Sequence, residues 1–295
     1  MRISIIAADS MGVRSLATLV ESAAGTRVFI DPGASFAPRR YGLPPHPCEE
    51  ARLEEALSRI RSVLRDVHAA VITHYHYDHY LYRSGEEEYY RGLLLLVKHP
   101  ESSINVSQRL RAHRFLRKQG VAELARVAYA DGGSFEVEDV RLVFSPPVPH
   151  GRPGTPLGYV VMVLVEADGV RLVFASDVQG PGSREALEWI ISTRPDVVIM
   201  SGPPTYMEGV KVPEEEVRAS TSLLLELVSR LPRGSTLVLD HHTLRDASFR
   251  EKLGEVYSLA GTRGVRVVTA AEFMGVPLEP LEALRRRLWE GEVSC

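Results

Sequence analysis

Cysteine is nearly absent: the 295 residues hold two, Cys48 and Cys295, the second at the last position. Neither belongs to a CxxC pair, which excludes a cysteine-rich zinc site and a multi-bridge disulfide framework. A disulfide between them is possible but nothing in their positions supports it, and a reducing, cytoplasmic setting is the default expectation. Long apolar runs are missing too. The best candidates, 93–97 and 159–165, are strand-length, far from the roughly 20 residues that span a bilayer. The opening MRISIIAADS is broken by Asp9 and reads as a strand, not a signal peptide. An excess of positive charge is also lacking. A formal net charge of -3 gives no general attraction to nucleic acid or anionic membrane.

No fixed-period repeat or low-complexity linker divides the chain, and one domain over 1–295 is expected. Strand patterns fall at 2–7, 15–20, 27–31, 125–129, 134–137, 140–144, 157–166, 170–175, 196–200, 236–240 and 265–268. Helical spacing covers 48–67, 183–192, 213–230, 245–260 and about 279–290. Residues 81–120 look like an elaboration with a basic helix capped by Asn105 or Ser107 and stopped by Gly120. Pattern alone predicts mixed α and β, with helices covering sheet faces.

The informative stretch is VITHYHYDHY at 71–80, which puts His74, His76, Asp78 and His79 within six positions after a short apolar strand. On extended backbone His74 and His76 point the same way, so two imidazoles converge. Asp78 and His79 follow on the turn and can face a second point. Imidazole with carboxylate suits zinc, iron or manganese better than calcium or magnesium. Further ligands are expected just after other strands. His150 in SPPVPHG, Asp177 in LVFASDVQG, and His241 or His242 in STLVLDHHTLRD qualify.

THYHYDHY matches the HxHxDH signature of the metallo-β-lactamase superfamily. With RYGLPPHP, SQRLRAHRF, SGPPTY and LDHHTLRD, the full length resembles an archaeal family of predicted metal-dependent hydrolases in that superfamily. The resemblance implies a four-layer αββα sandwich with the site at one edge between the sheets. It implies two divalent metal ions, zinc first, with iron or manganese also suited. One would be held by His74, His76 and His150, the other by Asp78, His79 and the last histidine, with Asp177 bridging. Related tRNA-processing nucleases place that histidine directly after its strand with an arginine four positions on. That spacing favours His241 with Arg245, and leaves His242 a supporting role. Asp31, at a strand end, fits the family's first motif as a carboxylate that supports a ligand by hydrogen bonding.

Such a site implies hydrolysis by a metal-activated water, with Asp78 as ligand and proton shuttle. Arg109 on the basic helix, Arg245 and Tyr206 are candidate contacts to a small anionic ester, lactone or phosphodiester. A nuclease acting on RNA or DNA would need the basic helix beside the metal edge. A non-catalytic metal-binding or interaction protein is the third reading, and the complete ligand set argues against it.

Overall fold

Strands whose side chains are apolar in succession need cover on both faces, and this chain supplies it in layers. The computed structural model describes residues 1–295. One sheet runs in the order β1 (Arg2–Ala8), β2 (Leu16–Glu21), β3 (Arg27–Ile30), β4 (Ala69–Ile72), β5 (Leu94–Val97) and β6 (Arg126–Tyr129). Its first three strands are antiparallel and β3 to β6 are parallel. Next come β7 (Ser134–Val137) and β8 (Val140–Phe144), then a separate ribbon of β9 (Val148–Pro149) and β10 (Tyr159–Val160). β11 (Val163–Ala167), β12 (Val170–Ser176), β13 (Val197–Ser201), β14 (Thr236–Asp240) and β15 (Arg266–Val268) follow. The second sheet has the order β15-β14-β13-β12-β11-β8-β7, and β12 to β15 are parallel.

Alternation along each strand divides the core. Val28, Ile30, Ala69 and Val71 face the second sheet, meeting Leu142, Val163, Phe174 and Ile199. Phe29, Ala70 and Ile72 face outward against Leu53, Leu57 and Ile60 of α1 (Pro47–Leu64). On the other outer face, Val198, Met200 and Leu237 pack under helices 184–192, 214–230 and 254–263. This is the four-layer αββα sandwich. No helix is long and apolar enough to cross a membrane.

Several expectations are corrected. The run 157–166 is not one strand. It breaks between β10 and β11 because the Val161 amide donates to the Thr73 carbonyl at 3.1 Å and the Met162 amide to Ser145 Oγ at 2.9 Å. The helix expected over 245–260 divides into Phe249–Lys252 and Gly254–Arg263, with poor helix-forming Gly254 at the junction. The structure adds a short helix, Ala270–Met274, that starts at a capping box formed by Thr269 and Glu272. The stretch 81–120 contributes β5 to the first sheet, paired on both sides, so that strand is no surface addition. Cys48 and Cys295 are disulfide-bonded with Cα atoms 6.0 Å apart, the pairing that the sequence allowed but did not support. Tertiary packing brings them together. Leu281 and Leu288 of the last helix pack beside Cys48, and Arg285 forms two 2.7 Å bonds to buried Glu49.

Gly33, after β3, touches the histidine-rich turn. A Cβ there would lie 2.1 Å from the Tyr80 nitrogen and 2.6 Å from the His79 carbonyl carbon. Those are backbone atoms that cannot swing aside, so Gly33→Ala must displace one segment. The expected cost is about 1–3 kcal/mol in denaturant unfolding. An unchanged unfolding midpoint would contradict this packing.

Candidate metal centre

Strands β3 and β4 of one sheet run parallel to each other, as β12 and β14 of the other run parallel to β13 between them, and all four end at one edge of the sandwich. Asp31 follows β3, His74 lies just beyond β4, Asp177 follows β12 and His241 follows β14. Asp31, Ser176 and His241 have φ of 49°, 56° and 55°, uncommon for residues with a Cβ. These left-handed residues turn the chain sharply where the side chains are needed.

The centre is built on one carboxylate oxygen. Asp177 Oδ2 lies 3.0 Å from His150 Nε2, 3.3 Å from His241 Nε2 and 3.5 Å from His79 Nε2. His242 Nε2 at 3.7 Å and His74 Nε2 at 3.8 Å complete the ring. Two groups emerge whose ligand atoms lie within 4.8 Å of one another: His74, His76, His150 and Asp177, and Asp78, His79 and His241. Two further such groups join Asp177 to His241 and His242, and Asp31 to His74 and His79.

The donors fit a divalent cation. His74 Nε2, His79 Nε2, both His150 nitrogens and Asp177 Oδ1 are buried without a hydrogen-bond partner. Buried polar atoms are otherwise nearly always paired, so several orphans aimed at one place are the pattern of a ligand set. Nitrogen and oxygen donors suit zinc, iron or manganese.

Outer hydrogen bonds set the rings. Asp31 Oδ2 accepts from His79 Nδ1 at 2.8 Å and from the Thr73 hydroxyl at 2.6 Å, while Oδ1 accepts from the Thr73 amide. Asp9 does the same for His241, accepting from Nδ1 at 2.6 Å and from Arg245 Nε at 2.8 Å. With Nδ1 donating, the neutral ring keeps its lone pair on Nε2, facing the centre. Asp9 and Thr73 were missed in the sequence. Asp9 ends an apolar strand as Asp31 does, and that shared signal could have found it.

The charges are strongly coupled. Burial disfavours a charge on His79, yet Asp177 and Asp31 hold its pKa well above the usual imidazole range. For His241 burial is likewise outweighed, by Asp177 and Asp9, and the pKa is pushed up to about 9. Burial also opposes ionisation of Asp177, but His241 and His79 keep it well below the usual carboxylate range. His74 and His76 go the other way, lowered by burial and by neighbouring histidines.

A cleft of about 590 Å³ opens over the centre, lined by His76, Asp78, His150, Asp177, Tyr206 and Arg245 among others. Tyr206 accepts from Arg245 Nη1 at 3.4 Å. Arg245 is buried, tied to Asp9 and 3.6 Å from Asp78 Oδ2, so it braces the site as well as edging the cleft. His242 sits beside Asp177 on the cleft wall, not behind a ligand. Arg109 lies elsewhere. It lines a separate cavity with Leu110, His113 and Arg117, because positions 109 and 111 point to different sides of their helix.

A family model described as Beta-lactamase superfamily domain matches residues 26–238. The chain belongs to the beta-lactamase superfamily. Within it, the chain is 52% identical over 296 residues to a UPF0282 protein of Aeropyrum pernix, covering 99% of each. Isothiocyanate hydrolase from Delia radicum gut bacteria is similar in fold, with TM-score 0.53, 16% identity and coverage of 88% of this chain and 95% of that one. Zinc-bound PqqB from Methylobacterium extorquens is similar too, with TM-score 0.51, 12% identity and coverage of 91% and 98%. At such identities the two structures speak to the fold, which is that of metallo-β-lactamase-type proteins.

Two outcomes are expected of this site. Asp9→Ala frees the His241 ring and should weaken divalent-metal binding about 10–100-fold, read by competition with a chromophoric chelator; unchanged affinity would contradict the bracing role. Metal ligation needs a neutral imidazole, whereas His241 is protonated below about pH 9. Zinc binding near neutral pH should therefore release protons, and affinity should climb as pH rises towards 9. Calorimetry in buffers of different ionisation enthalpy measures the release, and a buffer-independent heat would count against it.

Proposed function

We propose that the protein is a metal-dependent hydrolase, a single catalytic domain acting on a small anionic ester, lactone or phosphodiester. The observation that carries this reading is the ring of five histidine Nε2 atoms about Asp177 Oδ2 at the floor of a cleft. In this reading His74, His76 and His150 hold one divalent ion, Asp78, His79 and His241 hold a second, and Asp177 serves both. Zinc is the first choice, as in the PqqB neighbour. Such ions, when bound, supply Lewis acidity and an acidified water at neutral pH.

The chain's own groups do the rest. Burial opposes the charge on Asp78, but His79, His241 and Arg245 keep it ionised, so it can ligate and accept a hydrogen bond from the attacking water. Asp31 and Asp9 fix the ring tautomers of His79 and His241. Tyr206 lines the cleft and is suited to a substrate oxygen, with Arg245 Nη1 beside its hydroxyl. The basic helix lies beside the cleft but gives it only Arg111, while Arg109, His113 and Arg117 line a different cavity, so a small substrate is favoured over RNA or DNA.

The test is hydrolysis of bis(4-nitrophenyl) phosphate and of carboxylate-bearing 4-nitrophenyl esters by zinc- and manganese-loaded protein. Turnover should stop with a chelator and return with metal, and Asp78→Asn should lower kcat/KM by about 100-fold or more. Turnover that survives both chelation and Asp78→Asn would reject the reading.

A further inference from the structure

We propose that Arg111 anchors a second oxyanion of the substrate, a carboxylate or phosphate at a distance from the bond that is cut. The inference rests on the hydrolase reading for the position of that bond. Three arginines line the cleft, and two are already committed. Arg14 forms bonds of 2.5 and 2.6 Å to Glu282, and Arg245 forms one of 2.8 Å to Asp9. Arg111 has no carboxylate partner. Its one hydrogen bond is a 3.5 Å contact from Nη1 to the Tyr75 carbonyl, and its guanidinium lies 4.7 Å above the Tyr77 ring.

The position is built, not incidental. Arg111 belongs to the helix Val106–His113, whose first residues are locked to the metal-site turn. Gln108 Oε1 accepts from the Tyr75 amide at 3.2 Å, and Gln108 Nε2 donates to the Leu157 carbonyl at 2.7 Å. Asn105 caps the helix by accepting from the Gln108 amide at 2.7 Å and donates to the Pro156 carbonyl. Gly158 has φ +90°, and a Cβ there would come within 2.9 Å of Gln108 Nε2, so glycine lets the two segments close. Arg111 is one turn beyond Gln108 on the same face, which sets it over the stretch carrying His74 and His76. A half-buried guanidinium laid on an aromatic ring, with unused donors, is preorganised for two-point binding of an oxyanion. Phe36, Leu157 and Met207 on the cleft wall suit an apolar linker between the two polar ends.

The substrate class is therefore a bifunctional anion: a hydrolysable ester, lactone or phosphodiester with a carboxylate or phosphate at its other end. The test uses zinc-loaded protein and calorimetric titration with α,ω-dicarboxylates from succinate to suberate, each against the monocarboxylate of equal length. A second arm replaces one carboxylate by phosphonate, which tells whether the anchor prefers a planar or a tetrahedral anion. At one chain length or more, the two-ended anion should bind about 10-fold or more tighter than its one-ended counterpart. Arg111→Gln should lose that preference, Arg111→Lys should keep part of it, and Arg109→Gln, in the other cavity, should keep all of it. Zinc content checks that each variant is folded. A wild type without the preference, or an Arg111→Gln variant that retains it, overturns the proposal. Loss of the hydrolase reading looks different: the preference persists, while no metal-dependent turnover is found.

Discussion

One carboxylate among five imidazoles is the constraint on which the site depends. Asp177 is buried and ionised, and that charge is tolerable only because positive or polarisable groups surround it. Burial lowers the pKa values of His74 and His76, and the neighbouring histidines lower them further by repulsion. Asp31 and Asp9 relieve that repulsion from behind, each gripping one ring through Nδ1. The result is a nest of alternating charges in which the Nε2 atoms of His74, His79 and His150 lack partners within the protein. Ordering such a nest costs conformational entropy and desolvation, and the strained backbone at Asp31, Ser176 and His241 adds to it.

The sandwich supplies the rigidity to hold it. Parallel strands from both sheets end at one edge, so short turns carry the ligands and the two cores fix the turns. The last helix reinforces the same edge from outside. Glu282 pairs with Arg14 on the cleft wall. Arg285 reaches the carbonyls of Ala37 and Leu43, on the loop that contributes Phe36 and Pro38 to the cleft, and also pairs with Glu49. The Cys48–Cys295 disulfide then ties the end of the chain to α1. A residue near the C-terminus thereby bears on the shape of a cleft whose floor is made at 74–79.

How much of this could be read from the sequence follows the range of the forces involved. His74, His76, Asp78 and His79 lie on one turn, where local spacing carries their geometry, and the alternation along β3 and β4 marks both faces of the sheet. His150, Asp177 and His241 were legible only as polar residues at strand ends, in a family's order. Asp9 carried the same signal but no motif to frame it. Arg109 and Arg111 are indistinguishable in a charge run, because the choice between them is made by Gln108 clamping the helix in tertiary space. The disulfide was invisible for the same reason: it follows from how the last helix packs on α1. The break after Val160 arises from a bond to Thr73, which no local pattern encodes.

On the proposed hydrolase reading, Asp177 serves two ions. The most direct measurement is elemental analysis of zinc-reconstituted, desalted protein, wild type against Asp177→Ala, with folding checked by circular dichroism. Two equivalents per chain in the wild type and one or none in the folded variant is the expected result. A single equivalent in the wild type, or two that persist in Asp177→Ala, would contradict it.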